Sequence, residues 1–423
     1  MHREASSIVV VSVTNPYPPA TGKQAVTLGL LEYLVTRYGG ERLTWVSLGI
    51  QAQFPDSLRP ARVVNVPPLA SWQRSLWLLA RALRGSPLQQ AMIYSPHARR
   101  TIYDLVKSSG VEFTIYDTLR SGQYAPAALK GRSYVFLDDL FSRRYRRMSV
   151  ALKTDRDLNV DALGNFGRRL PEWLQAITRN RAMLQVLLRL EARRMERAER
   201  ASVNNFAACL LVSADEVSIL REASGAENVS VMTPRLAGLV ERHRSWAGEH
   251  KLVWVGDLRL PHNHVGLQWY ISNIHTKILH RFPSLTLDVI GRGASNELMS
   301  SLQSTDGVTV HGYVDDLDDA LSQAAALIAP FRFGSGVKIK IVDAIARGLP
   351  VITTPIGAEG LSVGPERGIL VADSVQQWLH SVSSVLDAAD NAHLSEAAAN
   401  YFRNTFSTSA TSRQYDEIFP RLE

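Results

Sequence analysis

Residues 329–361 read APFRFGSGVKIKIVDAIARGLPVITTPIGAEGL, and the fold class follows from this stretch. An apolar run ends at Pro330. Gly334, Ser335 and Gly336 make a tight turn, and Val337, Ile341 and Ile345 recur at the spacing of a helix over 337–347. Gly348 and Pro350 stop that helix, and PVITT (350–354) reads as the next strand. Strand, glycine turn, helix and strand make one step of a parallel α/β sheet. Ser335 is the predicted N-cap. Glycines let a backbone approach a ligand closely, and the free N–H groups of a first helical turn attract an anion. Lys338 and Lys340 sit in that turn and oppose the helix dipole. They make sense if an anion such as a diphosphate is held between them. Asp343 follows three residues later on a neighbouring part of the same face, and an ionised carboxylate can accept from both hydroxyls of a ribose. A plain amphipathic helix with solvated lysines would share the apolar stripe. The glycine turn, lysines, carboxylate and Gly-Pro strand in combination favour the phosphate site.

The same rhythm extends in both directions. IVVVSV (8–13) is a continuous β-branched run of the kind a buried parallel strand shows. A Pro- and Gly-rich loop follows, then a helical pattern ending at Gly39-Gly40, and LTWVSLG (43–49) as a second strand. Further strands are predicted at 91–95, 113–117, 133–138 and 209–213. A second set opens at LVWVG (252–256). It continues with a helix over 265–281, strands at 285–291, 308–314 and 326–330, a strand at 368–372, and a helix over 374–389. Two α/β halves imply two Rossmann-like domains facing a central cleft. The expected domains are 1–240, 241–395 and a helical tail, 396–423, that crosses back onto the first.

A single cysteine, Cys209, excludes an intramolecular disulfide and a thiolate zinc site. No apolar stretch is long enough for a spanning helix or a signal-peptide core, so the chain reads as cytoplasmic. The net charge is +7. Between Ser142 and Arg200, fifteen basic residues face seven carboxylates, so this stretch carries +8 and the remainder is near neutral. One reading is a solvated helical face. The other is a surface for an anionic membrane or a lipid-diphosphate acceptor, since Trp173, Leu174, Ile177, Leu184, Leu187 and Leu188 share the stretch. Without interleaved surface aromatics or a recognised module, nucleic acid is not the expected partner.

The segment GSGVKIKIVDAIARGLPVI followed by IGAEGL resembles the donor-binding domain of GT-B glycosyltransferases of the large family-4-like group (glycosyl transferases group 1). VWVGDLRLPHNHVGLQWY, VIGRG and VTVHGYVDDL follow that family's order. The resemblance covers 252–361 well and the N-terminal half loosely, through NPYPPATGKQAVTLGLLEYL, LDDLFSRRYRRM and CLLVSADEV. It implies an enzyme moving a sugar from a nucleotide-diphosphate sugar to a glycan or lipid-linked hydroxyl. It further implies retention of configuration and no metal or other cofactor. A catalytically silent GT-B subunit is the alternative.

By this resemblance Gly334, Gly336, Val337, Lys338 and Lys340 hold the diphosphate, with Gly22 and Arg259 nearby. Asp343 takes the ribose and Val314 lies against the base. Ser335 stands where many relatives have a glutamate. Glu359 faces the donor sugar. Asp138 and Asp139, where relatives often have a histidine, are candidates to orient or deprotonate the acceptor hydroxyl, although capping of the next helix would also explain Asp139. His97 and Arg143 are candidates for the acceptor side. Lys23, where relatives often have glycine, either adds a positive charge to the site or points to solvent.

Overall fold

A computed structural model describes residues 7–108, 110–154, 180–239, 241–242, 244, 246–314, 316–334 and 336–422. The chain forms two compact units. The first comprises Met1–Arg146, Leu170–Gly238 and Thr411–Glu423; the second comprises Leu239–Ala410 together with the segment that begins at Arg147. The expected break after 240 falls after Gly238, and the tail that belongs to the first unit starts at Thr411, not at 396.

The first unit is built on a seven-stranded, fully parallel sheet in the order β3-β2-β1-β4-β5-β6-β7. Its strands are β1 (Ser7–Ser12), β2 (Leu43–Leu48), β3 (Arg62–Val66), β4 (Val111–Asp117), β5 (Ser133–Asp138), β6 (Ala208–Leu211) and β7 (Val229–Val231). Ile8 to Val11 are buried on both faces, which is why the strand alternates no polar residue among them. Its described helices are α1 (Gly22–Tyr38), α2 (Ser71–Leu83), α3 (Leu88–Ile93), α4 (Pro96–Lys107), α5 (Thr118–Gly122), α6 (Phe141–Thr154), α7 (Arg181–Ser202) and α8 (Ala214–Ser224), with α6 shared with the second unit from Arg147 onward. Thr21 caps α1 by accepting from the Gln24 amide.

Two strands in this half escaped the sequence reading, and one expected strand is a helix. β3 and β7 are the sheet's outermost strands, and only Val66 of β3 is fully buried, so neither shows a long apolar run. AMIYS at 91–95 instead ends α3, where Leu88 to Met92 are all buried. A helix buried all round has no polar face to reveal its period, and a short apolar run then looks like a strand.

The second unit carries a six-stranded parallel sheet, β10-β9-β8-β11-β12-β13. The strands are β8 (Lys251–Val255), β9 (Thr286–Ile290), β10 (Val308–Gly312), β11 (Ala326–Ala329), β12 (Val351–Thr353) and β13 (Ile369–Val371). Between them lie α9 (Pro261–Tyr270), continued by a π turn into α10 (Thr276–Arg281), then α11 (Asn296–Gln303), α12 (Asp318–Ser322) and α13 (Ile339–Ala346). Three more helices close the chain: α14 (Val375–Leu386), α15 (Ala388–Thr405) and α16 (Thr408–Ile418). Trp254, Tyr270 and Trp378 are fully buried in its core with the strand valines and leucines. Each buried aromatic of this size contributes about 2–3 kcal/mol, so Trp378→Ala alone would remove much of a domain's stability margin.

Both sheets start from a central strand, wind outward one way, then return to the other side. The neighbours β1 and β4 in the first sheet, and β8 and β11 in the second, mark the reversal. In open α/β sheets, ligands bind outside the carboxyl ends of the strands at that reversal.

Candidate functional site

At the second reversal, β8 leads into Gly256 and β11 into Pro330 and Phe331. The helix that follows starts later than expected. Its N-cap is Lys338, and Gly336 before it has a left-handed backbone, φ +69°, which keeps 336–338 out of the helix. The expected cap, Ser335, lies outside the described residues. Lys340 is therefore the second residue of α13. Its N–H and that of Ile339 belong to the first turn, which has no acceptors of its own.

The Lys340 ammonium is partly buried. It donates to Asn263 Oδ1 at 2.9 Å and lies 4.6 Å from the Trp254 ring centre and 5.1 Å from that of Phe331. Burial pulls its pKa down from 10.5 to about 7, and no described carboxylate offsets the loss. Lys338 stands 5.7 Å over the same Phe331 ring and donates to Gly336 O at 2.6 Å. The two lysines thus share one aromatic floor beneath the glycine turn. Gly256 completes the pocket by close approach: a Cβ there would lie 2.8 Å from Lys340 Nζ and 2.9 Å from Asn263 Nδ2. Val337 is half-buried between the lysines and the turn.

Other expected donor residues are already engaged. Asp343 pairs with Arg347 at 3.2 Å, one helical turn on, and Arg347 also pairs with Asp318. Burial pushes the Asp343 carboxyl up, against the pull of Arg347 and Arg242. Arg259 folds back on Asp257, with Nε 2.9 Å from Oδ1, and is about half exposed. Glu359 is paired with Arg147, which also donates to Gly334 O at 3.0 Å. Glu359 therefore lies beside the glycine turn. Val314 follows β10 by two residues and is half-buried.

At the first reversal the structure gathers a charge cluster. Lys23, in the first turn of α1 after Gly22, reaches Asp117 Oδ1 at 2.7 Å and Asp138 Oδ2 at 3.4 Å. Ser12, at the end of β1, donates to Asp117 Oδ2 at 2.7 Å. Lys23 thus does not point to solvent. Burial pulls its ammonium down, but Asp117 and Asp138 outweigh that and hold it above the usual lysine range. Burial would raise Asp117, yet Lys23 and Ser12 hold it low. Asp138 goes the other way: burial, with Asp139 and Asp117 adding repulsion, raises it despite Lys23. Asp138 also has a positive φ, +74°, which a non-glycine residue adopts at a cost of roughly 1–3 kcal/mol and which clusters at functional sites. Asp139 faces away, to Arg144 at 2.5 Å.

His97 is exposed in the first turn of α4; with 91–93 ending α3 and no strand at 91–95, it follows no strand end. Arg143 lines a pocket of about 180 Å³ with Ser142, Arg146, Glu196, Glu199 and Arg200. In the basic stretch, Arg144, Arg146, Arg147 and Arg194 are all ion-paired, so much of the α6 charge is matched locally. Sequence reasoning missed Asp117, Asn263 and Arg147. Asp117 had a signal, since it ends FTIYD as Asp138 ends SYVFLD.

Two parallel doubly wound units, with a lysine-bearing glycine turn at the second reversal, make the fold of the GT-B proteins. Residues 249–388, about a third of the chain, match the family of glycosyl transferases group 1, so this domain is similar to that family's. A relative from Klebsiella pneumoniae, an uncharacterised 44.6 kDa protein in the cps region, is 27% identical over 180 residues, 40% of this chain. The chain spans 45% of that relative's length. Sucrose-phosphate synthase from Thermosynechococcus elongatus shares the fold with TM-score 0.64 and 14% identity, covering 98% of both chains. Anabaena Alr3699/HepE in complex with UDP has TM-score 0.61 and 12% identity, covering 97% of this chain and 99% of its own.

Proposed function

We propose that the chain transfers a sugar from a nucleotide-diphosphate sugar to a hydroxyl of a glycan or lipid-linked acceptor, in polysaccharide or glycoconjugate synthesis, with retention of configuration and no required metal. The observation that carries this reading is Lys340: a partly buried ammonium over two rings whose only hydrogen-bond partner among the described residues is an amide oxygen. A cation held there without a carboxylate is stabilised once an anion arrives. Lys338 and the first-turn N–H groups of α13 add donors aimed at the same place.

When the glycosidic bond to the leaving diphosphate breaks, negative charge grows on the terminal phosphate. Fixed cations and amides lower that barrier without reorganising. Asp138, raised by its surroundings and strained at the end of β5, is the group suited to orient or deprotonate the acceptor hydroxyl. Asp343 serves the ribose by exchanging Arg347 for the sugar hydroxyls, and Glu359 faces the donor sugar. The cps-region setting of the Klebsiella relative and the UDP complex of the Anabaena neighbour support this substrate class. The acceptor side meets an anionic membrane surface through the region 142–200.

The test is a panel of nucleotide sugars scored by protection against thermal unfolding, followed by product analysis with acceptor extracts, with and without EDTA. No shift by any nucleotide diphosphate would overturn the donor site. A second reading, a silent GT-B subunit, is favoured by the ion pairs already made by Asp343 and Glu359. Donor binding with no transfer to any acceptor and no donor hydrolysis would select it.

A further inference from the structure

Helix α2 carries an apolar stripe that nothing in the described structure covers. Trp72, Leu76, Leu79 and Leu83 recur at the spacing of one helical face and are 69, 59, 49 and 79% exposed. The opposite side of the helix anchors through the buried Leu78 and through Arg81, which stacks 4.2 Å over the Tyr94 ring. A second stripe, Met183, Val186 and Leu190, is exposed on α7. The helices meet where Arg194, one turn beyond Leu190, donates to Ala82 O at 3.0 Å, beside Leu83. Exposed apolar side chains scattered singly need no explanation, but two adjoining rows do.

The charge around these rows has one sign. From Ser57 to Tyr103 the chain has seven arginines and no acidic residue. Arg84 and Arg99 both stand near enough to Arg81 to disfavour its charge, after burial. On α7, Arg181 and Arg189 flank the apolar row, and the first acidic residue of the helix, Glu191, is buried and occupied by Arg194 and the Leu88 amide. An apolar row containing a tryptophan, bordered by cations and, among the described residues of these two helices, by no exposed carboxylate, complements an anionic lipid surface, where rings and aliphatic chains enter the headgroup layer and arginines meet phosphates.

We propose that the exposed face of α2, extended by the first turns of α7, docks this protein onto an anionic bilayer, with Trp72, Leu76, Leu79 and Leu83 entering the interface. The inference deepens the membrane part of the reading above. It adds a helix outside 142–200 and does not depend on glycosyl transfer.

The test uses the full chain with vesicles of phosphatidylcholine alone and of phosphatidylcholine with phosphatidylglycerol, at low and high salt. Sedimentation is expected only with the anionic vesicles and to weaken with salt. Leu76→Glu/Leu83→Glu is expected to reduce partitioning by about tenfold or more while the circular dichroism melt stays unchanged. Quenching of tryptophan emission by brominated lipid is expected to fall in Trp72→Phe. If the anionic vesicles bind the wild type and the double variant equally, α2 is not the docking face, although membrane association stands. Loss of binding in Arg181→Glu/Arg189→Glu would then assign it to 142–200 alone. If no vesicle binds the chain, both readings fall. In that case, self-association broken by Leu76→Glu/Leu83→Glu would assign the face to a second copy.

Discussion

Replacing Lys340 by Met keeps the side-chain length and removes the charge. In the ligand-free chain its pKa is about 7 instead of 10.5. At 1.36 kcal/mol per unit, holding the proton there costs up to about 5 kcal/mol. The ammonium keeps some contact with water, so about half of this, ~2.5 kcal/mol, is the expected gain when a diphosphate supplies the missing countercharge. Lys340→Met should therefore weaken donor binding roughly 70-fold. The pH dependence has a definite sign. Below pH 7 the lysine is already charged and binding moves no proton. Above pH 7 the free chain has a neutral amine and the complex a charged one, so binding takes up a proton and weakens with each further unit of pH. Calorimetry with UDP-glucose suits this test, because its diphosphate diester does not titrate near neutrality. Runs in two buffers of different ionisation enthalpy should give proton uptake near zero at about pH 6 and approaching one at about pH 8.5. Binding with no uptake at the higher pH, or a Lys340→Met chain within about twofold of wild type, would refute the reasoning.

Gly256→Ala should disable the same pocket by shape: the new methyl would stand 2.8 Å from Lys340 Nζ, so nucleotide protection should be lost while the melting temperature of the free chain changes little. Lys23→Ala strands the buried Asp117, and urea melts should show a loss of about 3–5 kcal/mol, reduced when Asp117→Asn is added. Burial raises Glu199 to about 7 and Glu216 to about 8, so the folded chain holds protons that the unfolded chain releases near 4.5. Stability from these groups is full below about pH 4.5 and is lost as pH climbs to 7–8. In Glu199→Gln the fall in unfolding free energy from urea melts across that window should be shallower by up to about 3 kcal/mol; an unchanged slope would remove Glu199 as its source.

Local pattern carried much of the architecture. Strand runs such as Ile8 to Val11, the stops at Gly39 and Gly348, and the turn at Gly334 and Gly336 are properties of a few neighbouring residues, and they set the order of most elements, the edge strands β3 and β7 and the short helix α3 aside. In a parallel sheet that order largely fixes topology, because crossovers are right-handed and short. The lysines of the glycine turn were legible for the same reason. Arg347 was also within reach, one helical turn from Asp343.

What only the tertiary structure decided is where each charge finds its partner. Lys23 gave no sign in the sequence that it would settle between two strand ends, Asp117 and Asp138, brought together by β4 and β5 lying side by side. Glu359 looked available until Arg147, far away in the chain, took it. Lys340 is the converse case: its charge was visible at once, but not that Trp254 and Phe331 would wall it off with no carboxylate among the described residues beside it. Periodicity is set by adjacent residues, whereas desolvation and ion pairing are set by whatever the fold packs against them. The sequence therefore determined two doubly wound halves and a cationic turn, and packing alone decided which of the cations are paired with carboxylates and which, like Lys340, have no carboxylate among the described residues.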